Sequence, residues 1–363
     1  MNKRAKVIAY YLPQYHPTKE NDEWWGKGFT EWTNVAKAKP LFRGHEQPNI
    51  PSELGFYDLR LPEVRKEQAD LAREAGVDAF CYWHYWFGNG VQLLEKPLQE
   101  VVRLGEPDFP FCLGWANHPW RKKQWNKDVS RLEQSLLMDM KYPGEKDIEE
   151  HFFKMLPMFK DRRYYKLNGK LVFLIYVIKD IPYLDKFITI WQELASKNGL
   201  PGFYFIGHVN NADEIAYARN FNFDHLVYEN HFQVFESTKA WVNKLRTVFS
   251  YFTKIPVNKI SYSDFVNRLD YSVVADNDDI FPTIYSNWDT SPRLGAAARI
   301  ITNPEPKYFQ KLIERVLKIM EGKQEKVIFL KSWNEWAEGN YVEPDLKYGR
   351  GRIEALHNAI IEK

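Results

Sequence analysis

The sequence predicts a single (β/α)8 TIM barrel of the α/β class, and three observations predict it. Eight short apolar runs, rich in β-branched and aromatic residues, alternate with amphipathic helical stretches along the chain. That is the pattern of a parallel sheet with helical crossovers, and eight strands close such a sheet on itself. The polar and aromatic residues gather after the first, second, third, sixth, seventh and eighth runs, the face on which such barrels carry chemistry. No Gly-rich turn follows the first run, so the dinucleotide fingerprint and phosphate loop expected of an open doubly wound sheet are missing. Residues 1–363 are therefore read as one domain with long loops on the catalytic face.

The elements follow in order. Lys6–Tyr11 is the first strand, stopped by Pro13 and Pro17, because proline ends a ladder and fixes a turn. A long stretch without sustained periodicity then carries Trp24, Trp25 and Trp32, and a loop of that length in a compact domain is usually functional. Pro62 opens a helix that runs to Ala75 and stops at Gly76. Strand two is Val77–Tyr82. A helix from Gly90 to Leu104 leads to strand three, Phe109–Gly114. Helical stretches Ser130–Met140 and Glu145–Phe159 lead to strand four, Leu171–Val177. Helix Pro182–Asn198 precedes strand five, Phe203–Gly207. Helix Ala212–Asn220 precedes strand six, Asp224–Tyr228. A partly helical excursion, residues 233–275, leads to strand seven, Phe281–Tyr285. Helix Pro304–Glu321 stops at Gly322 before strand eight, Val327–Leu330, and Gly351–Ile361 is a last helix.

Composition narrows the function. A net charge of +2 with 27% charged residues supplies no strong field of either sign, which argues against nucleic acid as a partner. The two cysteines, Cys81 and Cys112, fall in apolar runs, where small buried thiols are commonest, so neither a disulfide nor a zinc cage is indicated. The apolar run after the basic N-terminus is too short for a signal peptide, and no run approaches a membrane span, so the expectation is a cytoplasmic chain unless a leader has been removed. The 13 tryptophans are unusual. Many stand at strand ends, where an indole face can cover the apolar face of a pyranose ring.

The centre of the site is expected after strand eight, where Val327–Leu330 gives way to a cluster of carboxylates, amide and indoles. Glu335, Glu338 and Glu343 are too much charge to bury without partners and are expected to line a cleft. Glu335 and Glu338, three apart, project to one side of a helical turn, and two carboxylates at that range suit acid/base work, since burial and mutual repulsion can hold one protonated while the other is ionised. Candidate sugar contacts, from the strand ends, are Gln14, His16, Trp25, Trp83, His84, Trp86, Trp115, Asn117, Tyr228, Glu229, Asn287, Trp288, Asn334, Trp336 and Glu343, and His118, like His84, stands where it could meet a sugar hydroxyl. Glu229 and Asp289 also end strands and are rival carboxylates. Gln14, His84, Trp115, Asn287 and Glu335 are expected to meet in one pocket. No His-x-x-x-His or Cys-x-x-Cys spacing occurs, so neither metal nor other cofactor is expected. The run Arg121-Lys122-Lys123 is read as a solvated loop.

Five stretches carry a family resemblance: Tyr10 to Pro17 (YYLPQYHP), Asn21 to Val35 (NDEWWGKGFTEWTNV), Phe80 to Phe87 (FCYWHYWF), Leu94 to Pro97 (LEKP) and Ser332 to Asn340 (SWNEWAEGN). They resemble the WbsX-like proteins of polysaccharide and O-antigen loci, a group similar in turn to glycoside hydrolase family 99, the retaining endo-α-mannosidases and endo-α-mannanases built on a (β/α)8 barrel. The Asn-Glu-Trp-x-Glu motif of family 99 matches Asn334, Glu335, Trp336 and Glu338, with Ala337 where that family usually has His. The resemblance implies that Glu335 is the base that deprotonates the substrate's 2-hydroxyl, giving a 1,2-anhydro sugar, and that Glu338 protonates the leaving oxygen. On that assignment Glu335 is expected to stay ionised and Glu338 to have a raised pKa. The expected function is a retaining endo-acting α-glycoside hydrolase or transglycosidase working on bacterial surface polysaccharide or its precursor. A glycosyltransferase of O-antigen or capsule assembly, and a carbohydrate-binding barrel without catalysis, are the alternative classes.

Overall fold

The structure is a computed structural model that describes residues 2–125, 132–235 and 240–362. Eight parallel strands close into a barrel: β1 (Lys6–Tyr11), β2 (Ala79–Trp86), β3 (Phe111–Trp115), β4 (Lys170–Ile175), β5 (Phe203–Val209), β6 (His225–Tyr228), β7 (Ile280–Tyr285) and β8 (Val327–Lys331). Each pairs with its neighbours in sequence, and β1 pairs with both β2 and β8, which closes the ring. The register sets Lys6 against Val327 on one side of β1 and Ile8 against Ala79 on the other. These strands are almost wholly buried because helices cover the outside while side chains fill the inside.

The outer layer is α1 (Pro62–Ala75), α2 (Lys96–Leu104), α3 (Glu145–Phe159), α4 (Leu184–Lys197) and α5 (Ala212–Ala218), then, after α6 (Ala240–Thr253), which packs on the Gly295–Ala297 turn, α7 (Pro306–Ile319) and α8 (Gly351–Ile360). α1 begins with Pro62 in its first turn and ends at Gly76, whose φ of 87° is a left-handed cap that glycine adopts without strain. Three expectations are corrected. The loop after β1 contains two short helices, Lys19–Trp25 and Glu31–Lys37, the first capped by the Thr18 hydroxyl. The stretch read as a helix over Ser130–Met140 forms a strand, Leu132–Met138, paired antiparallel with Trp120–Trp125, while residues 130 and 131 lie outside the described residues. Its Leu, Glu, Gln and Met content is helix-favouring, and cross-strand pairing overrides that weak local preference. The same hairpin takes up Arg121-Lys122-Lys123, which is strand rather than loop. Among the described residues no helix is long and apolar enough to cross a membrane.

Candidate active site

The inside of the barrel ends in a layer of aromatic and charged side chains. Strand residues alternate in direction, so Tyr10 of β1 meets Trp83 of β2, the rings stacked at 4.6 Å. Trp83 also meets the edge of Tyr176, just past β4, which stacks on His208 of β5 at 4.3 Å. Lys331, the last residue of β8, reaches across this layer to Glu229, with Nζ 2.6 Å from Oε1. His208 Nε2 lies 3.1 Å from the other oxygen of Glu229, and His231 Nδ1 lies 3.3 Å from the first. Burial alone would raise the Glu229 pKa, but the Lys331 ammonium and the two imidazoles hold it below the usual carboxylate range. Burial would likewise weaken the Lys331 ammonium, yet Glu229 keeps it firmly protonated. Glu229 is therefore an ionised member of the barrel floor.

Above that floor the chain leaves β8 through Ser332 and Trp333 into a tight turn over Trp336–Glu338, closed by Gly339 at φ 62°. Gly339 sits against the backbone of Asp289, where a Cβ would approach within 2.8 Å, so only glycine fits this approach. Glu335 is 7% exposed and accepts a hydrogen bond of 2.9 Å from the Trp83 indole. Burial, followed by the neighbouring charge of Glu338, pushes its carboxyl up to about 7. Glu338 is more open and is ion-paired with Arg293, whose other nitrogen lies 3.0 Å from the buried Glu31. Arg293 rides on a short helix, Ser291–Leu294, that packs against the Trp336–Glu338 turn, the Glu31–Lys37 helix and the Trp120–Trp125 strand. The surrounding carboxylates outweigh the burial of Arg293 and raise its pKa further. The expectation for Glu335 is thereby corrected, since burial raises its pKa, and Glu338 faces a guanidinium.

The other expected contacts divide by strand direction. Trp83 faces inward, but β2 runs on to Trp86, so alternation sends His84 and Trp86 outward. His84 Nε2 lies 2.7 Å from His151 Nε2 of α3, and Trp86 stacks on the same imidazole at 4.8 Å. Burial drops the His84 pKa to about 3, so this pair is neutral. Trp115 also faces the helices, stacked on Phe187 of α4, with its N–H given to the Trp86 carbonyl. The predicted pocket of Gln14, His84, Trp115, Asn287 and Glu335 is corrected accordingly, because His84 and Trp115 lie on the far side of the barrel wall. Tyr228 points away from Glu229, toward Gln233. The Asn117 amide is spent on Val177 and Tyr142, and the Asn334 amide on both backbone groups of Leu12. His16 lies 3.1 Å from the Pro13 carbonyl, its pKa lowered to about 4 by burial. Trp336 is buried, stacked on Tyr341 at 3.7 Å. Glu343 does not line the cleft: it lies beneath Trp336 and accepts hydrogen bonds from Trp336, Gln68 and Tyr57 at 2.6, 2.6 and 2.9 Å. Asp289 is held by His45, Gln47 and the Ser291 N–H, so it anchors the long loop.

The cleft itself keeps a different set. Gln14 accepts the Glu31 backbone N–H on its carbonyl and so stands at the rim. His118, past β3, meets the edge of Tyr176 at 6.0 Å. Trp288 is buried with its ring 5.6 Å from Lys331. Among the described residues the Tyr10 hydroxyl, Asn287 Oδ1 and the Trp288 N–H are buried without a hydrogen-bond partner, and such groups carry an uncompensated desolvation cost that a ligand hydroxyl could relieve. Trp25 stacks on Phe29 at 5.6 Å, and Trp24 meets Trp120, which meets Tyr85, so the long loop and the hairpin share one aromatic wall. Trp32 packs inside the loop and gives its N–H to Tyr57. Sequence reasoning missed Lys331, Arg293, Tyr176 and the role of Glu31. A lysine at the end of an apolar strand, two residues on from inward Phe329, was the available signal for Lys331. Among the described residues no group of three or more His, Cys, Asp or Glu is arranged to hold a metal ion.

Comparison with known proteins places the architecture. The chain is 31% identical over 361 residues to WxcX of two strains of Xanthomonas campestris pv. campestris, covering 98% of this chain and 50% of theirs. It thus spans about half the length of the curated relatives it matches. Among solved structures, a glycoside hydrolase-like protein superposes with a TM-score of 0.64 at 14% identity, covering 100% of this chain and 95% of that one. The GH99 endo-alpha-mannosidase of Bacteroides thetaiotaomicron superposes with a TM-score of 0.54 at 15% identity, covering 97% and 94%. These likenesses show the fold, a (β/α)8 barrel. The family model described as Glycosyltransferase WbsX matches residues 7–356, and the chain belongs to the WbsX family.

Proposed function

We propose that this barrel is a retaining, endo-acting α-glycoside hydrolase or transglycosidase acting on a bacterial surface polysaccharide or its precursor. The observation that carries the reading is Glu335, a nearly buried carboxyl at the barrel mouth with a pKa near 7, coupled to a second glutamate three residues on. A base is most effective when its pKa is close to the working pH. Glu335 takes the proton of the sugar 2-hydroxyl, and O2 displaces the leaving oxygen at C1, forming the 1,2-anhydro sugar. Glu338 gives its proton to that oxygen. Water, or an acceptor hydroxyl in transfer, then opens the three-membered ring at C1 while Glu338 takes its proton and Glu335 returns one to O2. Tyr10, Trp83, Tyr176 and Trp288 supply aromatic surface and unpaired donors for the sugar.

One observation favours an exchange of these roles. Glu338 is ion-paired with Arg293, while burial raises the Glu335 carboxyl to about 7. In the exchanged scheme Glu335 is the acid. The discriminating experiment first identifies a substrate by screening defined bacterial polysaccharides with mass spectrometry, and then compares Glu335→Gln with Glu338→Gln on substrates of differing leaving-group acidity. The acid is the glutamate whose loss is spared by a leaving group that needs no protonation. Equal dependence in both variants, or near-normal turnover in both, sinks the glutamate mechanism. Binding of a nucleotide sugar by calorimetry would favour the glycosyltransferase that the family description names, and glycan binding without turnover would favour a binding barrel.

A further inference from the structure

Helix α6 turns its apolar side outward. Trp241, Leu245, Val248, Phe249 and Phe252 are 62%, 58%, 45%, 55% and 76% exposed. Steps of three and four residues put them on one stripe roughly 100° wide, using the turn of an α-helix. Ser250, on the opposite side of the helix, is buried. Scattered exposed apolar residues are ordinary, but a contiguous stripe that includes three aromatic rings marks an interaction surface. The charge along this stretch of chain is one-sided. Between residues 237 and 263 the sequence has Lys239, Lys244, Arg246, Lys254 and Lys259 and no aspartate or glutamate. Lys244, Arg246 and Lys254 are exposed on the helix or just past it. α6 packs against the Gly295–Ala297 turn, which directly follows the helix bearing Arg293, so the stripe stands beside the mouth of the barrel.

We propose that α6 is an interfacial helix that seats the barrel on an anionic lipid surface, with its aromatic stripe in the headgroup region and its cations on the phosphates. An aromatic and aliphatic face flanked by Lys and Arg is the composition that binds such surfaces. A second copy of the chain is a poorer occupant. Pairing the stripe with itself would bring together two helices that each carry Lys244 and Arg246 and no acidic residue, and like charges across an interface oppose association. The inference does not depend on how the glutamates are read, because its test measures binding rather than turnover.

The test is flotation of the whole chain with phosphatidylcholine vesicles, with and without phosphatidylglycerol. The expected result is about tenfold more protein on the anionic vesicles, falling as salt is raised. The double variant Leu245→Glu/Phe249→Glu should lose about tenfold in binding with an unchanged melting temperature, since both side chains already face solvent. Trp241→Ser provides the same reading if the double variant is unstable. Lys244→Glu/Arg246→Glu should remove the preference for anionic lipid. Absent binding, or equal binding to both vesicle types, overturns the proposal. So does a wild-type dimer that these substitutions dissociate while vesicle binding is unaffected.

Discussion

Glu335 and Glu343 stand eight residues apart in one segment, both are buried, and burial pushes both carboxyls up to about 7. Their surroundings differ in kind. Glu343 lies outside the barrel wall and receives three donors, from Trp336, Gln68 and Tyr57, so its acceptors are used up in joining the β8 segment to α1 and the long loop. Glu335 lies on the inner side, has one side-chain donor from Trp83 and a second carboxylate as its neighbour. The comparison shows that a displaced pKa does not identify a catalytic group by itself. What separates the two is unsatisfied hydrogen-bonding capacity facing the cleft.

The largest expected effect tests that separation directly. Glu335→Gln should lower turnover on the identified glycan by about a thousandfold, within the range for removing a general acid or base, while leaving the melting temperature unchanged or higher. Glu343→Ala should do the opposite, lowering stability by about 2–3 kcal/mol because three buried donors lose their acceptor, with turnover of the folded fraction nearly intact. Calorimetry and initial rates on both variants decide it, and the comparison fails if each affects both quantities alike.

A smaller effect is expected in the pH dependence of stability. The folded-state pKa of Glu343 is raised from its ordinary 4.5 to about 7, so between these values the folded protein binds more protons than the unfolded one. Stability then falls as pH rises through this window. Buried His84 and His231, both lowered to about 3, act in the other direction, costing stability as pH falls below about 6.5. The Glu343 share is isolated by measuring unfolding free energy at pH 5 and pH 8 for wild type and Glu343→Gln. The variant should lose less over that interval, and an identical loss would remove Glu343 from the account.

The smallest effect sharpens the Glu335 side. Trp83→Phe removes the donor that favours ionised Glu335 while keeping most of the stacking on Tyr10. The limb of the kcat/KM profile that Glu335 governs should move to higher pH by about half a unit to one unit. An unmoved profile would mean that Glu335 does not titrate in catalysis.

The barrel was legible because closed parallel sheets need continuous apolar strands, and each of the eight is written that way. The glutamates after β8 were legible because charge directly after such a strand has few places to go. The wall-facing residues were not. Strand two was read as ending at Tyr82, which turned Trp83 through Trp86 into loop, whereas pairing with β3 carries it to His84 and antiparallel pairing with Gln92–Leu93 carries it to Trp86, which fixes alternate directions. Shifting the end of a strand therefore moved His84 from a candidate ligand to a helix contact. Arg293 was invisible for another reason: it reaches Glu31 and Glu338 from a distant segment, and no local pattern reports such an ion pair.

The closure of the barrel through β1 and β8 also governs how this protein comes into being. Lys6 finds its partner Val327 only after the residues between them have been synthesised, so β1 waits with one ladder edge open while the helices and inner strands assemble around it. β1 is thus a standing template for wrong pairing until β8 emerges, and β8 ends that exposure. Because Glu335 and Glu338 follow directly on β8, the carboxylates reach their positions in the same event that seals the ring, and a nascent chain stalled before it carries no assembled site.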